Sequence, residues 1–160
     1  MSRILALIPD SRLRHRAAHF YFRLTRPMTL GVRGIALDGA GRIFLVRHTY
    51  VPGWHFPGGG VEAGETALDA LIREMREEGN VVAAKSPRLL GFYHNAGASP
   101  RDHVACYVFE GARQTAPKTP DAEIAETGFF ARDRLPEGTS RGVSARLAEA
   151  LDGVPTSTAW

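Results

Sequence analysis

The sequence predicts an α/β fold in a single domain, preceded by an amphipathic helical arm, and three observations carry that expectation. The 160 residues are 44% hydrophobic and 23% charged, the balance of a globular chain of single-domain size. From Thr29 onward, β-rich runs recur between Gly, Pro and Asp turns. Two other stretches, Thr66 to about Gly79 and about Ser140 to Leu151, repeat apolar residues at helical spacing. Wholesale disorder and collagen-like repetition are excluded by this composition.

The arm comes first. Residues 11–24, SRLRHRAAHFYFRL, set Leu13, Ala17, Phe20, Tyr21 and Leu24 on one helical stripe, with Ser11 as the N-cap and Pro27 limiting the far end. We take 1–28 as this arm and 29–160 as the domain. An apolar stripe on a helix usually docks onto its own domain, which is the favoured use here. A homodimer contact, an acidic ligand and a peripheral membrane surface are the alternatives.

Strands Gly31–Leu37 and Arg42–His48 flank Asp38-Gly39-Ala40-Gly41, residues suited to a hairpin turn because Gly and Asp tolerate positive φ. A Pro/Gly-dense loop, Pro52–Gly64, leads into the helix from Thr66. Further strands are expected at Leu89–His94, His103–Phe109 and Thr127–Phe130, with Gly111–Asp121 as a polar loop.

Charge divides unevenly. Residues 1–33 hold seven arginines against one acid, a net of +6, which leaves −3 for the body of the chain. A nucleic-acid or membrane role would therefore rest on the arm alone, and no specific nucleic-acid partner is expected. No apolar run approaches the ~20 residues of a membrane helix. Ile4–Ile8, closed by Pro9-Asp10, is too short for a signal-peptide core, although an Arg-rich, acid-poor start is also the composition of a transit peptide. The lone Cys106 permits no internal disulfide and fits a cytoplasmic setting.

Four motifs are set aside. Gly79–Ser86 lacks the second glycine of a P-loop and runs from helix into strand. Gly58–Ala63 fits G-x-G-x-x-A, but Pro57 and Gly64 deny it the flanking strand and helix of a dinucleotide site. His15 and His19 have no acidic partner, so they read as a basic face rather than a metal pair. Cys106, flanked by apolar residues, reads as core and not as a nucleophile paired with His103.

The helix from Thr66 carries the chemistry. Leu68, Leu71, Ile72 and Met75 form an apolar stripe that is expected to face the core, and Glu74, Glu77 and Glu78 repeat i, i+3, i+4 beside it. On a solvated face such repulsion costs only about 0.2–0.5 kcal/mol per pair, so a plain acidic surface remains open. At the margin of a core the cost grows to a few kcal/mol, which a divalent cation would remove. Oxygen-only ligands favour Mg²⁺ or Mn²⁺, ions that bridge carboxylates to substrate phosphates. Gly58-Gly59-Gly60 lets backbone approach closely, and Arg73 can pair with Glu77.

Gly59–Val81, GGVEAGETALDALIREMREEGNV, resembles the Nudix box, G-x5-E-x7-R-E-U-x-E-E-x-G-U with U a bulky aliphatic residue. Eight of the nine specified positions match: Gly59, Glu65, Arg73, Glu74, Met75, Glu77, Glu78 and Val81. Asn80 stands where the family has glycine. Since Asn is the next-best residue for a left-handed helix ending, the fold and activity are expected to survive. With Phe56-Pro57-Gly58 and the strand order, the resemblance covers about residues 29–151.

That resemblance implies an α/β/α sandwich with a mixed central sheet, and hydrolysis of a nucleoside diphosphate linked to another moiety. It implies Mg²⁺ (or Mn²⁺) held by Glu74, Glu77 and Glu78 with the Gly59 carbonyl, loop and helix support from Glu65, and orientation of the glutamates by Arg73. Glu74 is the first choice of general base, Glu123 or Glu126 the second. Arg33, Arg47, Tyr50, Trp54 and His55 can contact phosphate or base, or equally serve the fold. No subgroup signature selects a substrate; Ala96 stands about where ADP-ribose hydrolases have a proline. The alternative function is a nucleotide-binding regulatory module with the same fold and little turnover.

Overall fold

The structure, a computed structural model, describes Tyr21 and residues 27–160. The predicted helix at 11–24 and the His15/His19 pair therefore lie outside the described residues, apart from Tyr21. The elements run β1 (Thr29–Leu37), β2 (Ile43–His48), α1 (Ala67–Gly79), β3 (Val81–Ala83), β4 (Arg88–His94), β5 (Asp102–Glu110), β6 (Ala112–Gln114), β7 (Ile124–Phe130), a short 3₁₀ turn at Arg132–Arg134, and α2 (Arg141–Leu151).

Five strands form one sheet in the order β4-β5-β1-β2-β7. β1 and β5 run parallel in continuous register from Thr29↔Asp102 to Leu37↔Glu110, whereas the other pairings are antiparallel, so the sheet is mixed. Strand alternation sends successive side chains to opposite faces. Phe44 and Val46 of β2 thus pack with Leu71 and Met75 of α1, while Ile43 and Leu45 pack with Val143 and Leu147 of α2. Two helices on opposite faces of a mixed sheet make the expected α/β/α sandwich. Gly34 permits the close seat of α1, because a Cβ there would stand 3.0 Å from Met75 Sδ and 3.2 Å from Leu71 Cδ1.

The turns and caps follow the residue chemistry. Asp38 accepts from the Ala40 and Arg42 amides, and Gly41 takes φ +74°. Thr66 and Ser140 cap α1 and α2 by accepting from the Asp69 and Val143 amides. Asn80 ends α1 at φ 52°, ψ 32°, the left-handed conformation expected of the residue replacing glycine.

Three expectations are corrected. Gly111–Asp121 is not all loop, since Ala112–Gln114 forms β6 and pairs with β3 in a separate two-stranded sheet. That pairing is non-local, so neither three-residue segment announces itself in sequence. Thr127–Phe130 understates β7, which begins at Ile124 and pairs with β2 across an irregularity at Arg47/His48. The face of α1 is also rotated. Leu71, Met75 and Glu78 are buried with Ala70, while Leu68 is exposed and Ile72 half-buried along a surface groove of about 370 Å³.

Candidate active site

The site is built where the loop before α1 enters the sheet. β1 and β2 pair only at Leu37↔Ile43, because the loop occupies the rest of the gap. Val32 N–H donates to Gly59 O at 2.8 Å, Gly34 N–H to Pro57 O at 2.9 Å, and Val61 N–H to Leu30 O at 2.9 Å. Gly58 lies against β1 at φ +141°, and a Cβ on it would stand 3.0 Å from Arg33 Cα, so glycine is required there. Arg33 ties the loop down by donating to the carbonyls of Gly58 and Phe56.

Thus fixed, the loop meets three glutamates in three environments. Glu78 is buried, and its Oε2 accepts the Gly58 amide at 2.7 Å. Burial pushes its carboxyl up to about 8, against the pull of that amide and of Arg33. Glu74 is half-buried beside Gly59, where a Cβ would stand 2.7 Å from its Cδ. Glu77 is exposed. Only Glu74 and Glu78 therefore reach the buried edge that the spacing assigned to all three.

Arg73 organises the outer side. Its guanidinium donates to both oxygens of Glu65 at 2.9 and 3.1 Å, to Glu74 Oε1 at 2.7 Å, to Glu77 Oε2 at 3.2 Å and to Gly60 O at 3.1 Å. The Glu65 and Glu74 carboxylates hold the guanidinium charge still more firmly than usual, and Arg73 in turn draws Glu65 below the ordinary carboxylate range. Glu65 also accepts from the Glu62 amide, which fastens the loop to the helix.

The inner side holds one residue that motif reading did not single out. His48 is buried, its Nε2 3.5 Å from Glu78 Oε1, and its Nδ1 is buried with no hydrogen-bond partner among the described residues. Burial, with Arg33 and His55 nearby, pushes the imidazole below its ordinary range, against the opposing pull of Glu123. His48, Glu78 and Glu123 present ligand atoms within 4.8 Å of one another. The available signal was alternation along β2, which puts His48 on the face of Phe44 and Val46, toward α1.

Of the remaining sequence candidates, Tyr50 is exposed and donates its hydroxyl to Glu123 Oε1 at 3.2 Å. Arg47 pairs with Glu126 at 2.7 Å across β2 and β7 and lies over the Trp54 ring. Trp54 is buried edge-on against Phe130, and His55 Nε2 lies 3.0 Å from Pro52 O. A cleft of about 350 Å³ lined by Arg47–Gly53 adjoins His48. Glu126, engaged by Arg47, stands outside the His48/Glu78/Glu123 group, whereas Glu123 is part of it.

A divalent ion fits this arrangement: a buried carboxylate with a raised pKa, an unpartnered buried imidazole nitrogen, and a glycine wedge that any side chain would fill. The Gly59 carbonyl, which accepts from Val32, keeps a second lone pair. Among the described residues, Glu78 and Glu123 bring ligand atoms within reach of one ion, and Glu74 stands beside the same loop.

Comparison with known proteins gives the family and the fold. The NUDIX domain family matches residues 27–151. A Bacillus subtilis (strain 168) relative, provisionally named an 8-oxo-dGTP diphosphatase, is 33% identical over 108 residues, 68% of this chain and 70% of its own length. An ADP-ribose pyrophosphatase of Methanocaldococcus jannaschii is 35% identical over 55% of this chain, and an RNA pyrophosphohydrolase of Gluconobacter oxydans 42% over 42%. The chain spans only 53% and 41% of those two. A MutT NUDIX hydrolase from Burkholderia pseudomallei shares the fold at TM-score 0.64 and 23% identity, covering 76% of this chain and 96% of its own.

Proposed function

This chain belongs to the NUDIX domain family and is a hydrolase, and we propose that it cleaves a phosphoric anhydride bond in a nucleoside diphosphate linked to another moiety, using Mg²⁺ or Mn²⁺. The observation that carries this reading is the pair Glu74 and Glu78, pressed against the Gly58-Gly59 loop, one clamped by Arg73 and the other buried on the loop amide. Such a cluster is costly without a cation and well formed for one. Bound there, the ion would neutralise phosphate charge and lower the pKa of an attacking water.

The chain's own groups supply the rest. Arg73 orients Glu74 and Glu77, and Glu65 keeps Arg73 in place. Glu74, half-buried beside the loop and held by Arg73, is the first choice to take the proton from water. Glu123, beside Glu78, is better placed than Glu126 as the second. Tyr50 and Arg47, on the cleft next to His48, are placed to meet the base and the phosphates. The lone buried Cys106 suits a reducing, cytoplasmic setting.

Substrate class is tested by a panel with Mg²⁺ or Mn²⁺: all NTPs, 8-oxo-dGTP, ADP-ribose, dinucleoside polyphosphates and 5′-triphosphorylated RNA. At least one should release a nucleoside monophosphate or inorganic phosphate. Tight binding with every ligand recovered intact would replace the hydrolase by a nucleotide-binding module.

A further inference from the structure

We propose that His48 is a direct nitrogen ligand of a divalent ion held together with Glu78 and Glu123, which biases this position toward Mn²⁺ over Mg²⁺. The inference rests on the hydrolase reading above, in which the glutamates of α1 hold the metal, and adds a ligand of a different chemical type. Three observations support it. The ligand atoms of His48, Glu78 and Glu123 lie within 4.8 Å of one another, a separation a single ion can bridge. His48 is more than nine-tenths buried, yet among the described residues Nδ1 has no partner, and Nε2 sits 3.5 Å from Glu78 Oε1, long for a hydrogen bond. The ring's neighbours are the Tyr50 and His55 rings and Glu78, which approaches Nε2, and none of the described residues bonds Nδ1.

The chemistry of the set decides the ion. Mg²⁺ takes oxygen ligands in a near-ideal octahedron, whereas imidazole suits first-row transition ions. An imidazole with two carboxylates therefore favours Mn²⁺ among the ions a phosphoryl-transfer site uses.

The test is pulsed electron paramagnetic resonance on the full-length protein loaded with Mn²⁺. Wild type should show ¹⁴N modulation from a bound imidazole, and ¹⁵N-histidine labelling should convert it to the ¹⁵N pattern, a readout that needs no variant. His48→Gln should abolish the modulation and weaken Mn²⁺ binding about tenfold, with a smaller loss for Mg²⁺. His55→Gln should keep the signal. Bound Mn²⁺ without nitrogen modulation in wild type, or modulation lost only in His55→Gln, overturns the proposal while leaving the hydrolase intact if turnover persists. Absence of both Mn²⁺ binding and turnover would sink the hydrolase reading as well.

Discussion

Glu78 Oε2 accepts the Gly58 amide at 2.7 Å, so one hydrogen bond joins the end of α1 to the loop wedged between β1 and β2. The same carboxylate is buried, and its proton affinity is raised to about 8. Loop position and charge state are thereby tied to one group.

Stability of the metal-free protein should consequently fall between about pH 6.5 and 8. An acid whose folded pKa is raised above its ordinary 4.5 contributes most while protonated, and that contribution is lost as pH climbs through about 8. His48, with a lowered pKa, acts oppositely, but only below its ordinary 6.5. Thermal denaturation in chelator should show a falling Tm across this window, and Glu78→Gln should flatten it. Saturating Mn²⁺ should raise Tm most at pH 8, because the ligand must be deprotonated.

Gly59→Ala should cost activity without unfolding the protein. The added Cβ would stand 2.7 Å from Glu74 Cδ and displace that carboxylate. A loss in kcat on the order of 10²-fold is expected, as when a site is misplaced by about 1 Å. Gly60→Ala, whose Cβ meets nothing within 4 Å, should be nearly silent in the same assay.

Arg73→Lys should lower kcat by about 10- to 100-fold. A single ammonium cannot reproduce contacts to Glu65, Glu74, Glu77 and Gly60 O at once. Steady-state kinetics at saturating metal would show the loss, and its recovery by excess metal would contradict a positioning role.

At Asn80 the expectation concerns the fold alone. Asn80→Ala should destabilise by about 1 kcal/mol, since alanine tolerates φ 52° poorly. Asn80→Gly should be near neutral, exchanging easier backbone geometry for the side chain's contacts to the Ala116 and Pro117 carbonyls. Denaturant titration measures both, and kcat should not change in either.

What the sequence made legible is what local chemistry dictates. The Asp38 turn, the Thr66 and Ser140 caps and the Asn80 ending are set by residues within a few positions of one another. Glu74 and Glu78 followed from spacing on one helix. Less legible was everything set by distant pairing. The β3–β6 sheet joins segments about thirty residues apart, and the insertion of the loop beside β1 depends on Val32 and Gly34 finding Gly59 and Pro57. Helical spacing also could not say how far α1 rotates, so it ranked Glu77 with Glu78, although one is exposed and the other buried. His48 escaped notice because it belongs to a strand, while the motif lies on a loop and a helix.

Hydrolysis in H₂¹⁸O of whichever substrate the panel identifies, with wild type, Glu74→Gln and Glu78→Gln side by side, tests the central claim most directly. Wild type with Mg²⁺ or Mn²⁺ should place one ¹⁸O in a phosphate-bearing product, chelator should stop the reaction, and each variant should lose on the order of 10²-fold or more in kcat. Undiminished turnover in both variants, or in the presence of chelator, would contradict a metal-bearing site at the junction of α1 and its glycine loop.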